Sequence, residues 1–159
     1  EIRLSLVGSE MCIRDSTKPR QLEVIWLYGP PGTGKTSLAV ELGDTSYYRV
    51  TDYKNPFDGY MGEETLILDE FDGEMRLSTL LNILDFWPTT LPARYTNKTA
   101  RFNQVVLVSN EAPWTFYTWE PLSRRQALAR RLNTIMCVDT DGSHNTTYEL
   151  NRFDRGCVR

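Results

Sequence analysis

Residues 23–42 read EVIWLYGPPGTGKTSLAVEL. Glu23–Tyr28 is short, β-branched and aromatic, the pattern of a buried strand. A Gly-Pro-Pro-Gly turn follows, and Lys35–Leu42 reads as a helix stopped by Gly43. The turn from Gly29 to Thr36 matches the phosphate-loop pattern G-x-x-x-x-G-K-[ST] in full, in the strand-to-helix context that gives it meaning. Glycines let the backbone turn tightly and bring N–H groups near phosphate oxygens. The helix that follows points its positive end at the same oxygens. Gly29, Pro30, Pro31, Gly32, Thr33, Gly34, Lys35, Thr36 and Ser37 are therefore the expected ATP-binding set. Lys35 is expected on the β and γ phosphates, and the Thr36 hydroxyl on Mg²⁺.

Three further segments fit the same chemistry. Leu66-Ile67-Leu68-Asp69-Glu70 is a strand that ends in two carboxylates, an expensive arrangement unless the charges meet a cation or water. Beside a phosphate loop, Asp69 is expected to hold Mg²⁺ through water, and Glu70 to act as general base on the attacking water. If the strand continues, the two side chains point to opposite sides. Val105–Ser109 is another buried strand, followed by Asn110. In a parallel sheet the carboxyl ends of the strands form the functional edge, which places Asn110 beside Lys35, Asp69 and Glu70. There a neutral amide is expected to hold the γ phosphate and the water. Last, Arg124, Arg125, Arg130 and Arg131 lie on one helix-like segment, and a guanidinium supplied from a neighbouring subunit stabilises charge on a transferring phosphoryl group.

Elsewhere strands and helices alternate. Tyr47–Thr51, Thr65–Asp69, Gln104–Ser109 and Thr134–Asp139 read as strands, with Tyr148–Leu150 a short last one. Leu77, Leu80, Leu81 and Leu84 recur at helical spacing, so Glu74–Phe86 reads as an amphipathic helix. Asn55–Gly62 is punctuated by Pro and Gly and reads as loop. Pro88 and Pro92 break the chain, and a polar loop runs through Asn103. Pro121–Leu132 reads as a basic helix with Pro121 in its first turn. The alternation predicts an α/β fold with a mostly parallel central sheet covered on both faces.

The chain has 159 residues, one ordinary domain in length. Hydrophobic residues at 40% and charged residues at 25% give a soluble globular balance. There is no apolar run near 18 residues, so a transmembrane span is not expected. Three scattered cysteines and one histidine lack metal spacing. Such thiols fit a reducing compartment. From Glu41 to Asp85 eleven acids face three bases, a net of −8; from Arg94 to Arg131 seven bases face two acids, a net of +5. That asymmetry fits either a polyanion partner for one face or a solvated basic face. Glu1–Ser16 (EIRLSLVGSEMCIRDS) has no useful periodicity and resembles the peptide produced when sequencing-adapter DNA is translated. It is set apart as an artefact or disordered leader, leaving a domain over 17–140 and a tail over 141–159.

The ordered set GPPGTGKT, FDGYMGEETLILDEFDG, VVLVSNEAPWTFY and ALARRL, over Gln21 to Asp139, resembles the superfamily 3 helicase domain of replication-associated (Rep) proteins of circular single-stranded DNA viruses, circovirus-like ones above all. Asp58–Gly62 is similar to the family's W-D-G-Y-x-G signature, with Phe57 where tryptophan is usual. The resemblance implies an AAA+-like three-layer P-loop NTPase fold and a homo-hexameric ring that pumps single-stranded nucleic acid, DNA rather than RNA, in the host nucleus. It also implies a loop between the acidic strand and the Asn110 strand that enters the channel. Lys98 is then the phosphate contact, Tyr95 a stacking partner and Arg101 a further basic contact, the combination general to single-strand binding. Asn110 is the implied sensor. Arg130 and Arg131 are the implied finger pair, Arg131 ahead of Arg130.

Rep proteins also carry an endonuclease with a His-x-His metal site and a Tyr-x-x-Lys nucleophile. Here the only histidine is His144, and Tyr95-Thr-Asn-Lys98 fits Tyr-x-x-K by accident, so nicking and joining are not expected of this chain, which reads as the helicase half of a truncated open reading frame. Three alternatives stay open on the residues: a superfamily 3 RNA helicase, a P-loop small-molecule kinase whose basic lid helix is mistaken for the arginine helix, and a non-catalytic module. The Asp69–Glu70 pair argues for water as nucleophile and against the kinase.

Overall fold

The computed structural model describes residues 18–146. The first strand, β1 (Glu23–Tyr28), lies in the middle of a six-stranded sheet of order β2-β3-β6-β1-β7-β8. The partners are β2 (Tyr47–Val50), β3 (Thr65–Leu68), β6 (Gln104–Ser109), β7 (Thr134–Val138) and β8 (His144–Thr146). Every pairing from β2 to β7 is parallel, and only the β7–β8 edge is antiparallel. Asn133 starts the β1–β7 register from both sides: its amide oxygen accepts from Val24 N–H at 2.7 Å and its own N–H donates to the Val24 carbonyl at 2.9 Å.

Alternation along the strands builds two apolar layers. Ile25, Leu27, Ile67, Val106 and Val108 face helix α1 (Lys35–Gly43), which adds buried Ala39. Val24, Trp26, Leu66, Leu68, Val105 and Leu107 face the opposite way. There they meet α2 (Leu77–Ile83), α3 (Leu122–Arg131) and a set of aromatic rings. Trp26 is fully buried and meets Phe71 edge-on at 5.5 Å, a favoured aromatic geometry. The expected α/β fold, parallel sheet and covered faces are thus present.

The differences are local and have physical causes. The helix expected over Glu74–Phe86 spans only Leu77–Ile83. Its start is delayed by a turn in which Glu74 N–H bonds the Asp72 carboxylate at 3.1 Å and Gly73 takes φ +90°. At its other end the Arg20 guanidinium bonds the carbonyls of Ile83 and Asp85, supplying partners that a helix end lacks. The segment expected to be polar loop contains a small antiparallel hairpin, β4 (Thr90–Leu91) and β5 (Lys98–Thr99). Leu91 is fully buried, which fixes that register. Pro121 precedes α3 as its N-cap rather than entering its first turn. The acidic strand stops at Leu68, so Asp69 and Glu70 lie in the turn beyond it. The strand expected at Tyr148–Leu150 and the segment Glu1–Ser16 lie outside the described residues; β8 falls within the expected tail.

A buried phenol, Tyr117, and a half-buried one, Tyr53, brace the second layer. Tyr117 hydroxyl donates to the Met75 carbonyl at 2.6 Å, and Tyr53 hydroxyl to the Asp69 carbonyl at 2.7 Å. Burial raises both phenols well above their ordinary value. Above pH about 10 the unfolded chain releases protons that the native chain retains, so rising pH favours unfolding. Urea unfolding followed from pH 8 to 11 is expected to show stability falling beyond pH about 10, with a shallower fall in Tyr117→Phe. Equal slopes for the two proteins would contradict this assignment.

Candidate active site

At the carboxyl edge of the sheet, a cavity of about 640 Å³ is lined by residues 31–37, 69–72, 108–111 and Phe116. It brings together the phosphate loop, Asp69, Glu70 and Asn110 from three separate strand ends. The loop takes its shape from two glycines. A Cβ on Gly29 would lie 2.2 Å from the Val138 carbonyl oxygen, so only glycine lets the chain pass the end of β7. Gly34, at φ +84°, is the left-handed residue that turns the loop into α1. Lys35 is buried, and its ammonium donates to the carbonyls of Gly29 and Pro30 at 2.7 and 2.6 Å. Burial lowers the Lys35 pKa, offset in part by Asp69. Its charge is thereby stored inside the loop that it is expected to serve.

Asp69 is the centre of the polar network. Its side chain is fully buried. One carboxylate oxygen accepts from the Thr36 hydroxyl at 2.9 Å and from Glu70 N–H at 3.0 Å. The other accepts from Arg49 Nε at 2.7 Å, and Arg49 Nη2 completes a forked ion pair. A hydroxyl and a carboxylate side by side at a phosphate loop are the hard oxygen donors that Mg²⁺ takes. Thr36 and Asp69 therefore fit the metal role expected of them. Glu70 is exposed at φ +49°, a left-handed conformation uncommon for a non-glycine residue. It faces the cavity, as does exposed Asn110. The neighbouring Ser109 hydroxyl donates to the Phe71 carbonyl at 2.7 Å, tying the end of β6 to the acidic turn.

The family model that matches this chain is that of RNA helicases, over residues 25–110, which contain the phosphate loop, Asp69, Glu70 and Asn110. The chain belongs to the RNA helicase family. It is 31% identical over 130 residues to the replication-associated protein of Porcine circovirus 1, covering 80% of this chain and 41% of that protein. Against the replication-associated protein of Beak and feather disease virus the identity is 33% over 124 residues, covering 76% and 40%. The genome polyprotein of Human klassevirus 1 is 33% identical over 154 residues, with 85% of this chain and 6% of that one covered. The chain spans about two fifths of the length of the circovirus relatives. These matches bear out the resemblance to a circovirus-like superfamily 3 helicase domain.

The helicase domain keeps its other expected residues away from the cavity. Arg130 is exposed on α3. Arg131 is half-buried, donates to the Ala127 carbonyl at 3.0 Å and pairs with Asp85 at 3.6 Å. Both lie on the arginine helix, whose role in phosphoryl chemistry was expected across a subunit boundary. Tyr95 lies at 92% exposure between β4 and β5, and Arg101, also exposed, follows β5. Lys98 is on the same hairpin, but its ammonium is bonded to the carbonyls of Asp58 and Tyr60. Among the described residues of the helicase domain, no helix is long and apolar enough to cross a membrane.

Sequence reasoning missed Arg49. A single arginine in Tyr-Tyr-Arg-Val reads as a solvent-facing strand residue. Its signal was positional: it lies one residue before the carboxyl end of β2, which pairs in parallel with the strand that ends one residue before Asp69. Removing one partner of a buried ion pair costs about 3–5 kcal/mol. Arg49 is 44% exposed, so solvent screens part of that. Arg49→Ala is expected to lower stability by about 1–3 kcal/mol in urea unfolding, and Arg49→Lys by less. A loss below about 0.5 kcal/mol in Arg49→Ala would mean that Asp69 does not rely on this partner.

Proposed function

We propose that this chain is the ATP-driven motor domain of a Rep-type protein. It hydrolyses ATP to translocate on single-stranded nucleic acid and to unwind duplexes during rolling-circle DNA replication. The observation that carries this reading is the meeting of the phosphate loop, Asp69, Glu70 and Asn110 around one cavity at the carboxyl edge of the sheet. A carboxylate aimed into the cavity as a proton acceptor suits water as the nucleophile.

In this reading ATP lies along residues 29–37, with Lys35 exchanging the carbonyls of Gly29 and Pro30 for phosphate oxygens. Thr36 and Asp69 would hold Mg²⁺, which would supply neutralising charge to the phosphates. Asn110 orients a water whose oxygen attacks the γ phosphorus. Glu70 takes the water's proton, the bond from that phosphorus to the bridging oxygen breaks, and ADP and phosphate leave. Arg131, with Arg130 beside it, acts on the nucleotide of a neighbouring subunit in a homo-hexamer. Single-stranded nucleic acid is held by the exposed face of the β4–β5 hairpin through Tyr95 and Arg101. DNA is favoured over RNA on the likeness to the circovirus proteins, and the host nucleus follows as the place of action. The second reading is an RNA substrate, favoured by the description of the matched family itself.

The deciding experiment is ATP hydrolysis with and without single-stranded DNA and RNA oligonucleotides. Stimulation by DNA above RNA is expected, and the reverse order would move the reading to an RNA helicase. Lys35→Ala is expected to abolish nucleotide binding. Glu70→Gln is expected to retain binding and lose hydrolysis about a hundredfold or more, the scale of general-base catalysis. Hydrolysis that survives in Glu70→Gln would remove Glu70 from the mechanism, and phosphate transfer to a small acceptor in place of water would overturn the motor reading.

A further inference from the structure

The segment Phe57-Asp58-Gly59-Tyr60-Met61-Gly62 takes no part in the nucleotide cavity, yet almost every residue in it is bonded. Phe57 and Tyr60 are buried in the main core. Gly59 lies against Tyr48 of β2, whose hydroxyl would be 3.2 Å from a Cβ placed there. Tyr60 meets Tyr48 and Phe102 edge-on, at 5.7 and 5.9 Å. The outward side of the turn holds the hairpin. The Asp58 carboxylate accepts from Arg94 N–H at 3.1 Å and from the Arg94 guanidinium. The carbonyls of Asp58 and Tyr60 both accept from the Lys98 ammonium. The Tyr60 hydroxyl accepts from Arg101 N–H at 3.0 Å and donates to the Glu63 carbonyl at 3.0 Å.

These bonds grip the hairpin before its tip, on β5 and just after β5, and they leave Tyr95 outside at 92% exposure. A two-stranded ribbon of this length is not stable by itself in water. Its position is therefore set by what it is bonded to.

We infer that Asp58–Tyr60 is the seat of the β4–β5 hairpin, and that Asp58 and Lys98 are positioning residues that fix where Tyr95 and Arg101 meet a nucleic-acid strand. The inference rests on the reading of that hairpin as the nucleic-acid element. It reassigns Lys98, whose ammonium is engaged by two carbonyls, from phosphate contact to support.

Two measurements on the full chain test it. The first is the rate of chymotryptic cleavage after Tyr95, which needs no nucleic acid. Asp58→Ala and Lys98→Met are expected to raise that rate about fivefold, the scale on which modest polar contacts hold a local structure closed. Asp58→Asn, which keeps an acceptor for Arg94 N–H, is expected to recover part of the loss. Nucleotide affinity, read with a fluorescent ATP analogue, is expected to stay unchanged in all three. The second is the salt dependence of binding to a fluorescent single-stranded DNA oligonucleotide. Lys98→Met is expected to weaken binding while leaving the log–log slope as it is. A slope smaller by about 0.7, the signature of one lost phosphate contact on a single strand, would return Lys98 to the strand and overturn the inference. Unchanged cleavage in Asp58→Ala would overturn it as well. Faster cleavage in a protein that binds no oligonucleotide even unmutated would sustain the seat and fail the nucleic-acid reading of the hairpin instead.

Discussion

A carboxylate with no exposed surface is the interaction on which this site depends. Stripping Asp69 of water is costly, and the cost is tolerable only because donors surround it. The donors come from different parts of the chain: Thr36 lies in the first turn of the helix after the phosphate loop, Arg49 one residue before the end of β2, and Glu70 N–H belongs to the turn itself. They meet because parallel pairing sets β3 between β2 and β6, with β1 next in order. The ion pair and the topology thus constrain one another. A slip of β2 by one residue would turn Arg49 to the other face of the sheet and leave the carboxylate without its guanidinium.

The phosphate loop shows the same economy of charge. Lys35 and Asp69 are both buried, and both are bonded within the chain. These bonds leave neither charge unpaired in a low-dielectric pocket. In the proposed function the same two residues turn to phosphate oxygens and to a metal shared with Thr36.

The sheet and the cavity were legible in the sequence because their signals are dense and local. Buried parallel strands show as unbroken apolar runs, as in Val105–Val108, and the phosphate loop needs glycines at fixed spacing. Helix ends were less legible. Glu74–Arg76 carry helix-compatible residues, but an Asx turn at Asp72 and the positive φ of Gly73 delay the helix until Leu77. The β4–β5 hairpin was illegible for another reason. Its strands are two residues each, too short for any period, and are held by tertiary bonds to residues some forty positions earlier. Arg49 and Lys98 belong to the same class. Their residue types suggested solvent or phosphate, and only the three-dimensional arrangement supplies the carboxylate and the carbonyls that they meet.

Strand β2 joins the two halves of the molecule's chemistry. Successive side chains on a strand point to opposite faces. Tyr48 packs with Tyr60 and bounds Gly59 at the seat of the hairpin, while the next residue, Arg49, holds Asp69. Strand β3 repeats the connection along the chain, since it begins two residues after Glu63, which accepts from Tyr60, and ends one residue before Asp69. A change in the partners of Asp69 therefore acts on the same two short strands that carry the seat. Interiors packed around fully buried rings such as Phe57, Tyr60 and Phe102 deform little. The nucleotide end and the hairpin end are therefore placed relative to one another by the same parallel register of β2 on β3.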